Sequence, residues 1–166
     1  MKEPSECYIF GYGSLINKES IKKTLNRDIQ EIIPVVLTKD IGYRRKWCFC
    51  SDKHKMCALG ITESDDPKDI NGVLFKCTQN ELKLLDNREE GYTRIKIEHR
   101  YIKKFFNNSN VSHFDIAFIQ IFTYKVNNEQ TYNDDYPIKN FYKNTCIDGC
   151  KDINEEFVND FIKSLE

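Results

Sequence analysis

The chain has 166 residues, a formal net charge of −1, and 40% hydrophobic against 31% charged residues. That size and balance describe a folded domain able to bury a core, and exclude a disordered chain. The near-neutral charge gives no global pull toward nucleic acid or an anionic membrane, and no apolar stretch approaches membrane-spanning length.

The first apolar run, Tyr8-Ile9-Phe10, has the composition of a buried strand. Gly11-Tyr12-Gly13-Ser14-Leu15 follows, where two glycines permit a sharp turn with positive φ. Successive N–H groups on such a turn can converge on a carboxylate or phosphate. Ile21 and Leu25, four apart in a polar stretch, predict a short exposed helix over 19–25.

Ile32 to Leu37 reads as a strand, with Pro34 pointing to an edge or a bulge. The basic-aromatic run Tyr43-Arg44-Arg45-Lys46-Trp47 is expected to continue it as a solvated strand face. After a polar loop at Ser51–Met56, Cys57 to Thr62 predicts another strand, and Asn71-Gly72 predicts a tight turn into Val73–Cys77.

Thr78-Gln79-Asn80-Glu81 fits a capping box. The helix it announces runs to about Arg88 or Glu89, and Gly91 stops it. Thr93 to Glu98 alternates as a half-buried strand, Phe106 to Ser112 reads as a loop, and Phe114 to Tyr124 as a strand. The tail from Tyr136 is expected to be helical, with Asn154 capping a last helix that carries Phe157, Val158, Phe161, Ile162 and Leu165. These elements predict one α+β domain over 1–166, a mainly antiparallel, barrel-like sheet surrounded by a few helices.

Leu82, Leu85 and Glu89 share one face of the capped helix. The leucines mark that face as buried, so Glu89 points toward the core or a pocket, and Glu90 points elsewhere. Desolvation and the helix dipole both raise the pKa of such a carboxylate, which suits proton exchange near neutral pH. The residues alone nevertheless favour an ion pair with Arg44, Arg45, Arg88 or Arg94, or a place in the frayed helix end, because most helix-terminal glutamates do no chemistry.

Two motifs alter that balance. Phe-Gly-Tyr-Gly-Ser-Leu after the first strand, and Leu85-Asp86-Asn87-Arg88-Glu89-Glu90-Gly91-Tyr92 downstream, together resemble the γ-glutamylcyclotransferase-like proteins, including the ChaC-type enzymes. Gly42 to Trp47 is similar to the basic-aromatic strand between those motifs in ChaC-type members. The resemblance spans Tyr8 to Tyr92 and implies an enzyme that releases 5-oxoproline from a small γ-glutamyl compound, with no metal or organic cofactor. It implies Glu89 as the catalytic general acid and base. It also implies Tyr12, Gly13, Ser14 and Leu15 around the substrate's anionic oxygen, with Tyr92 walling the pocket or donating a hydrogen bond. The Gly- and Pro-rich loop of ChaC-type members is replaced by Ser51–Met56. Glutathione is therefore expected to be no better a substrate than the best γ-glutamyl-amino acid or γ-glutamylamine.

Two other classes compete: a non-catalytic small-molecule-binding module of the same fold, and a thiol-dependent enzyme. Cys48/Cys50 and Cys146/Cys150 lack the matching Cys or His pairs of a zinc site. Seven cysteines without a scaffold-like spacing predict free thiols and a cytoplasmic location.

Overall fold

The computed structural model describes residues 6–106 and 119–166. Eight strands form one sheet: β1 (Glu6–Gly11), β2 (Ile33–Leu37), β3 (Tyr43–Ser51), β4 (Met56–Glu63), β5 (Ile70–Thr78), β6 (Thr93–Ile97), β7 (Ile102–Lys104) and β8 (Ile121–Lys125). Their order is β3-β4-β8-β1-β5-β2-β7, with β6 also paired to β8. Most pairs are antiparallel, while β8 runs parallel to both β1 and β4. The expected α+β, mainly antiparallel architecture is present, but the path ends at β3 and β7 and does not close into a barrel.

β1 lies at the centre because both of its faces are apolar. Cys7 and Ile9 join a core with the helices, whereas Tyr8 and Phe10 join a second core with β2, β4, β5, β6, β7 and β8. This is the two-residue period of a strand, buried here on both sides. The part of the predicted 114–124 strand before residue 119 lies outside the described residues, as does most of the predicted 106–112 loop.

Three expectations change in the sheet. A short 3-10 turn at Lys39–Ile41 and Gly42 at φ +90° separate β3 from β2, so the basic-aromatic run is a strand of its own. Asn71-Gly72 is no turn but part of β5. A Cβ at Gly72 would come within 2.4 Å of the Gly11 carbonyl, so this glycine serves a close strand approach. Arg45, expected on a solvated face, is completely buried.

Four helices pack on the sheet: α1 (Lys18–Leu25), α2 (Gln79–Arg88), α3 (Asn140–Lys151) and α4 (Glu155–Lys163). Asn17 caps α1 by accepting from the N–H groups of Glu19 and Ser20, and donates to the Thr145 carbonyl of α3 at 3.0 Å. Thr78 and Glu81 form the predicted capping box of α2. Asn154 caps α4, whose Phe157 and Phe161 are buried while Ile162 remains exposed.

Candidate active site

The turn after β1 and the end of α2 face each other across an open cleft of about 1100 Å³. Tyr12, Gly13, Ser14, Leu15, Glu89 and Tyr92 all line it. The glycine turn tightens into a single 3-10 turn at Ser14–Ile16. Gly13 has φ −130°, so the expected positive φ is absent there. A Cβ at Gly13 would lie 3.1 Å from the Tyr142 hydroxyl and 3.6 Å from Leu59 Cβ, so it is room for neighbours that glycine provides.

α2 buries Leu82 and Leu85 as its inner face and ends at Glu89, which caps the helix by donating its N–H to the Leu85 carbonyl. Gly91, at φ +97°, then turns the chain. A left-handed residue suits glycine, and any Cβ here would strike the Phe49 ring at 2.7 Å. The Glu89 side chain is 16% exposed and its carboxylate lies 3.4 Å from Arg88 Nε. Burial pushes the Glu89 carboxyl above the usual carboxylate range, and Arg88 opposes that shift without cancelling it. The ion pair that the residues alone favoured therefore exists, with Arg88 as the partner.

Four tyrosines surround this carboxylate. Burial raises the pKa of Tyr12, Tyr92, Tyr124 and Tyr142, and the Glu89 charge raises each further. All four stay neutral phenols near neutral pH. Tyr92 donates to the Leu59 carbonyl at 2.7 Å and stacks on Phe49 with ring centroids 4.1 Å apart. Its hydroxyl hydrogen is thereby committed to Leu59, and its ring lines the cleft. Tyr12 donates to the Tyr124 carbonyl at 2.6 Å, and Tyr124 donates to Asp86 Oδ1 at 2.7 Å. Arg94 also holds Asp86, at 2.8 Å, so the Asp of the downstream motif anchors a cleft tyrosine.

Several cleft residues escaped the sequence reading. Tyr124 and Tyr142 come from β8 and α3, far along the chain, and nothing local marks them. Arg88 was visible only as one of four possible partners. Ser14, expected to meet the substrate through its N–H, uses its hydroxyl to accept from Arg88 Nη2 at 2.7 Å. Glu90 was expected to point away, yet it is exposed at the rim of the same cleft, because the chain leaves the helix there and no longer sets it on the opposite face. Cys50 is the cleft's cysteine, and all seven thiols are free. Among the described residues no three His, Cys, Asp or Glu side chains gather as a metal-ligand set, and no helix is long and apolar enough to cross a membrane.

An α+β sheet of this order matches a known class. The ChaC-like family model matches residues 7–166, and the chain belongs to that family. Among solved structures, one named gamma-glutamyl cyclotransferase is 18% identical, with TM-score 0.70 over 97% of this chain and 88% of its own. A human protein described as uncharacterized is also 18% identical, with TM-score 0.68 over 98% and 89%. A yeast gamma-glutamyl cyclotransferase specific to glutathione is 14% identical, with TM-score 0.63 over 98% and 96%. At these identities the likeness is one of fold. No curated protein matches the sequence.

Proposed function

We propose that the protein is a γ-glutamylcyclotransferase that releases 5-oxoproline from a γ-glutamyl compound by intramolecular aminolysis, with Glu89 as general acid and base. The observation that carries this reading is the raised, half-buried Glu89 carboxyl in the same cleft as the glycine turn. The free α-amine of the γ-glutamyl group attacks its own γ-carbonyl carbon, forming the ring C–N bond. Glu89 takes the proton from the attacking nitrogen and returns it to the leaving nitrogen as the amide C–N bond breaks. Folding the substrate into a near-attack conformer inside the cleft supplies much of the rate. The N–H groups of the Tyr12–Leu15 turn receive anionic oxygen of the substrate, as its carboxylate or as the developing oxyanion.

The seven free thiols suit a reducing compartment, and the cytoplasm is the location that fits. For substrate choice, the Ser51–Met56 hairpin supplies part of the cleft wall in place of a Gly- and Pro-rich loop. Glutathione should accordingly be no better a substrate than the best γ-glutamyl-amino acid or γ-glutamylamine. Measuring 5-oxoproline release across such a panel tests both statements. No release from any member overturns the cyclotransferase reading, and turnover of glutathione alone overturns the specificity.

A further inference from the structure

Arg88 stands between the glycine turn and Glu89. Its Nη1 donates to the Ser20 carbonyl at 3.0 Å and the Thr24 hydroxyl at 2.7 Å. Its Nη2 donates to the hydroxyls of Ser14 at 2.7 Å and Ser20 at 2.8 Å. A guanidinium has five N–H donors in a fixed fork. Those four bonds occupy both terminal nitrogens, and the remaining donor, on Nε, lies on the side of Glu89 at 3.4 Å. The terminal nitrogens therefore have no donor left over for a substrate carboxylate.

We infer that Arg88 is a positioning residue that ties the Ser14 end of the glycine turn to α1 and presents a fixed positive charge to Glu89. Its catalytic consequence rests on Glu89 being the base of the reaction proposed above.

An exposed ion pair would carry little weight, because water screens it and both side chains must be ordered to make it. Here the Arg88 and Glu89 side chains are only 24% and 16% exposed, and neutral hydroxyl and carbonyl partners already order the cation. The groups facing Glu89 from the other elements are Tyr12, Tyr92, Tyr124 and Tyr142, all neutral near pH 7. Glu19, Lys23, Asp52, Lys53, His54 and Glu90 also line the cleft, but all are exposed to water. Arg88 is thus the cation that acts on the Glu89 carboxylate. Lysine could supply the charge but not the fork.

The test is a pH titration of side-chain carboxyl ¹³C signals in the unliganded protein, with the Glu89 signal assigned by its loss in Glu89→Gln. Arg88→Met should raise the Glu89 midpoint by about one pH unit or more, the scale for losing a close opposite charge. The acid limb of kcat/KM should move up by the same amount. Arg88→Lys should return the midpoint toward the wild-type value while KM stays elevated, because the turn is no longer held. Thr24→Val, outside the cleft, should raise KM severalfold and leave the midpoint unchanged.

An unchanged midpoint in folded Arg88→Met overturns the electrostatic role. If Arg88→Met does not fold, a midpoint in Arg88→Lys that departs from wild type by a full unit does the same. An unchanged KM in Thr24→Val overturns the positioning role. If the midpoint moves as expected but the wild-type protein releases no 5-oxoproline, the Arg88–Glu89 coupling stands and the proposed reaction falls.

Discussion

Two arginines grip the turn after β1, and they work in different ways. Arg45 reaches it from β3, donating through Nη1 to the Tyr12 and Asn71 carbonyls at 3.0 and 2.6 Å. Its other donors go to the Asn71 side chain and the Ser164 hydroxyl, and its guanidinium lies 4.3 Å from the Phe161 ring centroid. None of these partners is an acid, and burial pushes the Arg45 pKa down to about 10. Arg88 reaches the same turn from α2 and does have an acid beside it. A fully satisfied arginine with only neutral partners is scaffold, because its charge is a desolvation cost that hydrogen bonds offset. An arginine whose fifth donor faces a titratable carboxylate also holds that group's pKa down, here against the burial that raises it.

The largest effect should come from Arg45→Met, which attacks the scaffold half of this contrast. The Tyr12 and Asn71 carbonyls and the Asn71 side-chain oxygen would each lose a buried donor. At about 1–3 kcal/mol for each unsatisfied group, stability should drop by about 3 kcal/mol or more in urea melts. A loss under about 1 kcal/mol would mean that Arg45 is dispensable scaffold, since partner groups then find other donors.

Glu89→Gln sharpens the contrast by removing the acid that distinguishes the two arginines. Turnover should fall about a hundredfold or more, the usual scale for losing acid–base help. Stability at pH 7–8 should rise, because burial raises the folded-state pKa of Glu89 above its unfolded value. A carboxylate with that sign contributes most below its unfolded pKa, and the contribution is lost as pH rises through the folded value. The ionised Glu89 carboxylate therefore costs stability at neutral pH, and the Tm gap between wild type and Glu89→Gln should close as pH falls through the carboxylate range. Full activity in a folded Glu89→Gln protein ends the mechanism.

Gly13→Val tests the turn that both arginines hold. The new side chain would press on the Tyr142 hydroxyl and Leu59, at a cost of about 1–3 kcal/mol for overpacking. Affinity for a γ-glutamyl ligand, measured by calorimetry, should fall by about tenfold or more while the circular dichroism spectrum is kept. Unchanged affinity would remove the turn from the binding surface. The smallest effect belongs to Glu90→Gln. Glu90 is exposed on the rim, so stability should stay within about 0.5 kcal/mol and turnover close to wild type. A loss comparable to that of Glu89→Gln would move the acid–base role to the wrong neighbour.

Local chemistry was the legible part of this protein. The Thr78–Glu81 capping box, the end of α2 at Glu89 and the stop at Gly91 depend on groups a few residues apart, so the sequence displays them directly. The same holds for β1, whose unbroken apolar run follows from burial on both faces. That Glu89 and the Tyr12–Leu15 turn line one cleft was expected only through the two motifs taken together. Arg45 was misjudged although its signal was present. Alternation along β3 sets it apart from Arg44 and Lys46, so one basic residue of the three had to face the other side. Asn71-Gly72 carries the letters of a turn, but the demand at Gly72 is room for the Gly11 carbonyl of another strand. The order of the strands, and the arrival of Tyr124 and Tyr142 at the cleft, are settled by pairings no local pattern encodes.

The parallel pairing of β1 with β8 has a consequence for how the chain acquires this cleft. Tyr8 and Ile9 are registered with Ile121 and Phe122, and β8 also bridges β1 to β4 and pairs with β6. Partners so distant along the chain meet slowly, because a large loop must close before any of their contacts form. A nascent chain still short of Ile121 can pair β1 with β5, but it lacks the strand that joins β1 to β4. It also lacks Tyr142, which packs beside Gly13 and accepts the Leu59 N–H. Synthesis therefore delivers Glu89 on a capped helix well before Tyr124 and Tyr142 arrive to complete the cleft wall. Pulse-labelled hydrogen exchange should show protection of the α2 and β5 amides appearing ahead of those in β8.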